Sequence, residues 1–255
     1  MRITIDTLPL WDAFRQTDIC PYCHLESRME ELFIDTYLGE SVMEPDVRVE
    51  VNAKGFCRSH YKQLFQQKTS KLGLALMTHT HLQEILHSVD RHIEKLNACD
   101  EAGNTILKRA TGSKDFSGAL AEAASYASSS RDTCVVCERV AVHMERYYET
   151  ALHMWESDND FRKLFEQSRG FCIPHWGAQL AACKGVMITK KRAEFVSKLN
   201  EIEKRSLSEL EKDLEWFTRK FDYRNADKPW GNSKDALPRA INTIEGYTIK
   251  TESQS

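Results

Sequence analysis

The chain has 255 residues, 41% hydrophobic and 29% charged, and its 35 basic and 38 acidic residues give a net charge of -3. This length and composition are typical of a globular protein with one large or two modest domains. The slightly negative total does not favour general nucleic-acid binding. No apolar run approaches the roughly 18 residues of a membrane span, and the start lacks a signal-peptide pattern, so we expect a cytoplasmic protein without a membrane partner.

Helices are predicted along most of the first half. A Cys-x-x-Cys pair, Cys20 and Cys23, opens a helix over about 25–38. After a loop and the break at Gly55, another helix is predicted over about 57–67.

A long amphipathic helix follows over about 70–96, because apolar residues recur there at three- and four-residue steps. We expect this stripe to form a core face. It consists of Leu72, Leu76, His79, Leu82, Leu86, Val89, Ile93 and Leu96.

Residues 100–132 are rich in Ala, Ser and Gly and are interpreted as a linker with transient helical structure. The linker separates a first lobe, residues 1–99, from a second lobe, residues 133–221. Residues 222–255 are polar and contain helix breakers, so a C-terminal tail is predicted.

The second lobe repeats the plan of the first. Cys134 and Cys137 lead into a helix to about 155, and the last long helix is predicted over about 189–221. The order of the elements predicts an all-α protein of two tandem helical lobes that arose by internal duplication.

The repeat contains the same cysteine and histidine spacing twice. Each copy has a Cys-x-x-Cys pair followed by Gly-Phe-Cys-x-x-His, with 33 residues between Cys23 and Cys57 in the first copy and 34 between Cys137 and Cys172 in the second. The first copy supplies Cys20, Cys23, Cys57 and His60, and the second supplies Cys134, Cys137, Cys172 and His175.

Three thiolates and one imidazole form a complete tetrahedral set for Zn²⁺. We therefore expect two zinc ions per chain, each linking two segments of one lobe. An iron–sulfur cluster is the alternative for these ligands. Buried cysteines or redox-active dithiols would also contain Cys-x-x-Cys pairs. The remaining cysteines, Cys99 and Cys183, are interpreted as small packing residues.

An Asp-x-Arg pair also occurs in both copies, as Asp46 with Arg48 and Asp160 with Arg162. The aspartates are expected to cap short helices, and the arginines to form ion pairs or bonds near the metal.

Four stretches of the first lobe have distinctive motifs: Cys20-Pro-x-Cys-x-Leu-Glu26, Met43-Glu-x-Asp-Val-Arg48, Lys54-Gly-Phe-Cys-Arg-x-His-Tyr61 and Leu72-Gly-Leu-Ala-Leu-Met-x-His-Thr-His81. With these motifs the chain resembles a bacterial domain family of unknown function. The resemblance implies a cytosolic bacterial protein and assigns no catalytic residue.

The leading functional hypothesis is a scaffold with two closed zinc sites that binds a protein partner. Closed four-ligand sites leave no position for a substrate, and no recognised catalytic motif is present. The alternative is an enzyme or sensor with a site between the lobes, built from Glu26, Arg48, His79 and Arg162.

A sensor could also work through the metal sites themselves. Oxidation of Cys57 or Cys172 would then release zinc and loosen one lobe.

Overall fold

Helices account for every regular element in the part of the chain that the structure describes. The computed structural model describes residues 5–16, 20–68, 71–103, 113–129 and 132–247. Within these ranges there are eleven α-helices, three short 3₁₀ helices and no strand, which confirms the all-α class. The helices are α1 (Thr7–Arg15), α2 (Pro21–Leu38), α3 (Pro45–Lys54), α4 (Arg58–Gln66), α5 (Lys71–Gly103), α6 (Ser113–Ser129), α7 (Val135–Ser157), α8 (Asn159–Glu166), α9 (Ile173–Val186), α10 (Thr189–Arg219) and α11 (Ala236–Glu245).

The chain divides into two compact units, and each contains segments from both halves of the sequence. The first unit comprises Met1–Met29 and Val142–Ser255, and the second comprises Glu30–Ala141. The divisions fall within α2 and α7. These compact units group the residues differently from the two predicted lobes. The lobes therefore remain a hypothesis that rests on the sequence repeat alone.

Aromatic side chains form the core of the first unit. Phe14 on α1 packs against Phe161 and Phe165 on α8, with ring centroids 5.1 and 5.4 Å apart. Tyr22, inside the first Cys-x-x-Cys, lies 5.6 Å from Phe14 and 5.8 Å from Phe171, inside the second Gly-Phe-Cys. All five rings are buried, so the two motifs belong to one core.

The C-terminal stretch for which a polar tail was predicted also contributes to the first unit. Helix α11 packs on α9 and α10, and it buries Ala236 and Ala240.

In the second unit, α5 packs against α3 and α4 and also against α6, which lies in the predicted linker. The pairs Lys95–Glu122 and His92–Tyr126 join α5 to α6.

The apolar stripe predicted on α5 is only partly a core face. Met77 on this helix is fully buried, although it was not in the stripe. Leu82 and Leu86 are each 58% exposed, and Ile93 is 48% exposed. The buried face is thus rotated about the helix axis relative to the predicted one. No helix among the described residues has the length and apolar character needed to cross a membrane.

A buried lysine closes the end of α10. Lys220 is 8% exposed, and its ammonium donates to the carbonyl oxygens of Asn225, Ala226 and Lys228 at 2.6–2.8 Å. The same ammonium lies 5.0 Å from the centre of the Trp230 ring. Three charge-assisted hydrogen bonds therefore hold the turn that follows α10.

We expect Lys220→Met to destabilise the protein by about 2–3 kcal/mol, because three carbonyl oxygens lose a charged donor. Lys204→Met is the matched control, since Lys204 is exposed on the same helix and should change stability by less than about 0.5 kcal/mol. Urea denaturation followed by circular dichroism measures both. Equal stability of the two variants would contradict the role given to Lys220.

Candidate metal centres

The first candidate metal centre, cluster 1, consists of Cys20, Cys23, Cys172 and His175. Cys23 Sγ lies 3.5 Å from Cys172 Sγ and 3.4 Å from His175 Nδ1. Cys172 Sγ and Cys20 Sγ lie 2.9 and 3.7 Å from the same nitrogen. Cys20 is half-buried and the other three residues are buried, so the four donor atoms converge on one small space.

The second candidate centre, cluster 2, consists of Cys57, His60, Cys134 and Cys137. The three sulfur atoms lie 3.2–3.3 Å from His60 Nδ1, and Cys57 Sγ lies 3.8 Å from Cys137 Sγ. His60 and Cys134 are buried, Cys57 is half-buried and Cys137 is exposed.

The grouping of the ligands corrects the sequence prediction. We expected Cys20 and Cys23 to join Cys57 and His60, but they join Cys172 and His175. Each Cys-x-x-Cys is thus completed by the Cys-x-x-His of the opposite half of the chain. All eight predicted residues lie in the two clusters, but each lobe does not hold a site of its own.

Core packing gives the physical reason for this exchange. The Tyr22 ring, between Cys20 and Cys23, is 1% exposed and lies against Phe171, which precedes Cys172. It also lies 5.9 Å from the ring of His175. Burying such an aromatic side chain contributes about 2 kcal/mol or more, and the ligand chemistry is the same for either pairing.

Backbone hydrogen bonds hold the corresponding segments of cluster 2 together. Val135 N–H donates to Gly55 O at 3.2 Å, and Thr133 Oγ1 donates to Lys54 O at 2.8 Å. An ion pair between Lys54 and Glu138 joins the same two segments. These contacts fix the start of α7 against the turn that precedes Cys57.

Every ligand lies at or just before the first turn of a helix. Cys20 and Cys23 belong to the start of α2, and Cys172 and His175 to the start of α9. In cluster 2 the corresponding helices are α7 and α4. The positive end of the helix dipole stabilises thiolate anions, so two helix N-termini favour the deprotonated ligands at each cluster.

The glycine of each Gly-Phe-Cys is required by its backbone and by its neighbours. Gly55 and Gly170 have φ angles of 63° and 104°, in the left-handed region. A Cβ atom would collide with the His81 ring at Gly55 and with the Ser206 side chain at Gly170. His81 and Ser206 were not predicted as part of either site, because their sequence positions do not correspond in the repeat.

Two carboxylates from α2 lie behind the histidine ligands. Glu26 Oε2 is 3.5 Å from His175 Nε2, and Glu30 Oε1 is 3.3 Å from His60 Nε2. A carboxylate at this position orients a metal-binding imidazole and fixes its tautomer with Nδ1 free for the metal. Glu30 was missed in the sequence, although it lies one helical turn beyond Glu26.

The clusters concentrate negative charge. Burial lowers the pKa of His60, but the Cys134 thiolate and the Glu30 carboxylate raise it to about 10. Burial likewise lowers the pKa of His175, but the Cys172 and Cys20 thiolates raise it to about 10. Both histidines therefore occupy places where a positive charge is stabilised.

The thiols in each cluster also affect one another. A hydrogen bond from Cys137 lowers the pKa of Cys134 to about 3, and the same contact raises the pKa of Cys137. A divalent cation would relieve this crowding of like ligands.

The sulfur–sulfur distances fit a tetrahedral zinc ion, and the sulfur–nitrogen distances range from 2.9 to 3.7 Å. Zn–S bonds of about 2.3 Å and Zn–N bonds of about 2.0 Å place tetrahedral sulfur atoms about 3.8 Å apart, and sulfur about 3.5 Å from nitrogen. The sulfur pairs of 3.5 and 3.8 Å match this geometry, and they are far from the 2.05 Å or so of a disulfide. All eight cysteines are free thiols.

The repeated Asp-x-Arg pairs have structural partners. Asp158, and not Asp160 as predicted, caps α8, because its Oδ1 accepts from the N–H groups of Asp160 and Phe161. Asp46 lies in the first turn of α3, which has no side-chain cap. Arg162 pairs with Glu166 and Glu194, as predicted for this arginine.

The residues of the alternative enzyme site belong to different units. Arg48 donates to Thr80 Oγ1 at 3.1 Å, and His79 is exposed on α5, both in the second unit. Glu26 and Arg162 belong to the first unit.

The two remaining cysteines are outside both clusters. Cys99 is half-buried on α5. Cys183 is buried on α9, where its thiol donates to Leu180 O and burial raises its pKa.

Comparisons with known proteins identify relatives without an assigned activity. Residues 1–251 match a family described as "Family of unknown function (DUF6062)". The chain is 26% identical over 208 residues to the "Uncharacterized 23.9 kDa protein in xynA 3'region" of Caldicellulosiruptor sp. (strain Rt8B.4). The match covers 82% of this chain and 85% of that protein. No solved structure matches the chain.

Double substitutions distinguish the two groupings by metal content. Cys23→Ala with Cys172→Ala removes two ligands from cluster 1 only, so we expect the variant to retain one metal ion per chain. Cys23→Ala with Cys57→Ala damages both clusters and should abolish metal binding. Elemental mass spectrometry of the purified variants measures this.

The two double variants are controls for each other, because both lack two cysteines. Ligand sets confined to one half of the chain would give the opposite result, with no metal in the first variant and one ion in the second.

Proposed function

The chain belongs to the DUF6062 family, and we propose that it is a zinc protein in which two closed Cys3His centres hold a helical scaffold for another protein. The observation that carries the proposal is the convergence of three sulfur atoms and one imidazole nitrogen, all within 4.8 Å of one another, at each cluster. Soft thiolate ligands in a tetrahedral arrangement favour zinc over harder cations.

A structural role follows from the number of ligands. Four protein ligands complete the tetrahedral coordination of zinc and leave no position for a water or a substrate. When bound, the ion would link α2 to α9 at cluster 1 and α4 to α7 at cluster 2. In isolated zinc fingers such a link supplies on the order of 10 kcal/mol of folding free energy.

The exposed apolar side of α5 supports a protein partner. Leu82, Leu86 and Ile93 are four and seven residues apart, which places them on one face of the helix, and each is about half exposed. Exposed apolar faces of this kind are typical of protein-binding surfaces. An apolar face gives no support to a nucleic-acid partner, because nucleic acids are bound mainly through basic side chains.

We place the protein in the cytoplasm because both clusters need reduced thiols. Disulfides are rare in the reducing cytosol, where clustered cysteines bind metals instead.

A cavity beside cluster 1 favours a second candidate function, an enzyme or sensor. The cavity has a volume of about 490 Å³, and Cys20, Arg169 and Glu209 are among its lining residues. A small polar molecule bound there would lie against half-buried Cys20, because Cys23 and Cys172 are only 2% and 1% exposed. An activity that is lost on Arg169→Ala with unchanged zinc content would favour this function over the scaffold.

Metal analysis tests the zinc proposal directly. We expect about two zinc ions per chain of purified, untagged protein, and no visible absorption, because Zn²⁺ has a filled d shell. Elemental mass spectrometry and an absorption spectrum provide the two measurements. Iron with a brown chromophore, or a well-folded chain without metal, would contradict the proposal.

Site-specific crosslinking tests the protein partner. A photoreactive residue at position 86 should give one discrete crosslinked product in cells, identified by mass spectrometry. Position 84 is the matched control, because it is also exposed but lies about 200° around α5 from position 86.

The same discrete product from both positions, or from neither, would count against a binding surface on this face.

A further inference from the structure

The two clusters contain the same ligand types but differ in their exposure to solvent. In the repeat, Cys137 corresponds to Cys23 and Cys57 corresponds to Cys172. Cys23 and Cys172 are 2% and 1% exposed, whereas Cys137 is exposed and Cys57 is half-buried. One edge of the ligand set is thus covered in cluster 1 and open in cluster 2.

The geometry of this edge suits a reaction between two thiols. Cys57 Sγ and Cys137 Sγ are 3.8 Å apart, and the corresponding atoms of Cys23 and Cys172 are 3.5 Å apart. A disulfide requires about 2.05 Å, so each pair would have to close by less than about 2 Å. Distance therefore does not distinguish the two pairs, but access of a reagent from solvent does.

We infer that Cys137 and Cys57 form a peroxide-sensitive dithiol, and that the corresponding pair in cluster 1 is protected by burial. Cys137 is the point of attack, because it is the exposed residue of the pair, and Cys57 is the resolving thiol. Oxidant susceptibility of cysteines follows thiolate character and accessibility. A bound zinc ion would deprotonate its cysteine ligands in both clusters, so accessibility distinguishes the two pairs. The expectation from the sequence placed oxidation at Cys57 or Cys172, but Cys172 is buried.

The reaction is balanced with hydrogen peroxide as the oxidant. The Cys137 thiol attacks one peroxide oxygen, the O–O bond breaks, and a sulfenic acid and one water form. The Cys57 thiol then attacks the sulfenic sulfur, and a second water leaves as the disulfide forms. Two thiols are oxidised and one peroxide is reduced to two waters. An added dithiol reductant returns the disulfide to two thiols and is itself oxidised to a disulfide.

Oxidation would remove half of the ligands of cluster 2. Cys134 and His60 remain as donors, which is too few for a structural zinc site. This step rests on the proposed function, since it concerns loss of zinc, but the disulfide itself does not. Cluster 1 would keep its four ligands, so the chain would lose one of two zinc ions.

The test uses the full chain with Cys99→Ser, because Cys99 is a partly exposed thiol outside both clusters. Zinc release is followed with a chromogenic chelator during treatment with hydrogen peroxide, and disulfides are mapped by mass spectrometry after alkylation. We expect one zinc ion to leave together with formation of a Cys57–Cys137 disulfide. The second ion should leave roughly tenfold more slowly or not at all.

Equivalent substitutions in the two clusters serve as controls. In the same background, Cys137→Ser should abolish the fast disulfide, whereas Cys23→Ser should leave it unchanged. The disulfide map gives a result for both variants even where a substitution has already reduced the zinc content.

Three outcomes would overturn the inference. They are release of both zinc ions at one rate, a first disulfide within cluster 1 such as Cys20–Cys23, and no Cys57–Cys137 disulfide at all. A further result separates the two proposals. If the purified protein contains no zinc but still forms the Cys57–Cys137 disulfide, the proposed function is contradicted and the inferred peroxide-sensitive pair is supported.

Discussion

Each cluster forms where the first turns of two helices meet, and those helices come from opposite halves of the chain. The remaining features of the two sites follow from this meeting. Thiolates are stabilised by two helix N-termini, and each Cys-x-x-His is delivered by a glycine turn that only a residue without a Cβ can form. The polypeptide must bring distant segments together before either ligand set is complete. Formation of the sites is therefore coupled to packing of the core around them.

The sequence was sufficient to predict which cysteines and histidines cluster, but not how they are grouped. Spacing indicated all eight residues of the two clusters, because Cys-x-x-Cys and Cys-x-x-His place two donors on one side of a turn. It could not show which pairs combine, since both combinations give three sulfur atoms and one nitrogen. Chain entropy favours the local pairing only weakly. With 148 residues between Cys23 and Cys172 instead of 33 to Cys57, closure costs about 1 kcal/mol more. Burial of Tyr22 against Phe171 is of similar or greater size.

The periodicity of apolar residues predicted the long helices, but it did not predict which segments pack against them. In α5 the pattern of leucines indicated an apolar face correctly, but neighbours cover Met77 and leave Leu82 exposed. The stretch interpreted as a linker contains α6, which packs on α5 and includes the buried residue Ala119. The periodicity of α5 indicates neither contact, because it describes one helix and not the segments that pack against it.

If the two halves arose by internal duplication, the residues that surround the two clusters have diverged, although both clusters contain three cysteines and one histidine. Val135 donates its N–H to Gly55 O, but the corresponding residue of the first copy is Pro21, which has no N–H to donate to Gly170. His81 lies over one glycine and Ser206 over the other, and both supporting carboxylates come from α2. A duplicated module that kept its eight ligands while its surroundings changed would give two centres of equal composition and unequal accessibility. Selection on the ligands alone would keep both sites able to bind metal, and the surrounding side chains would decide which site reacts with solutes.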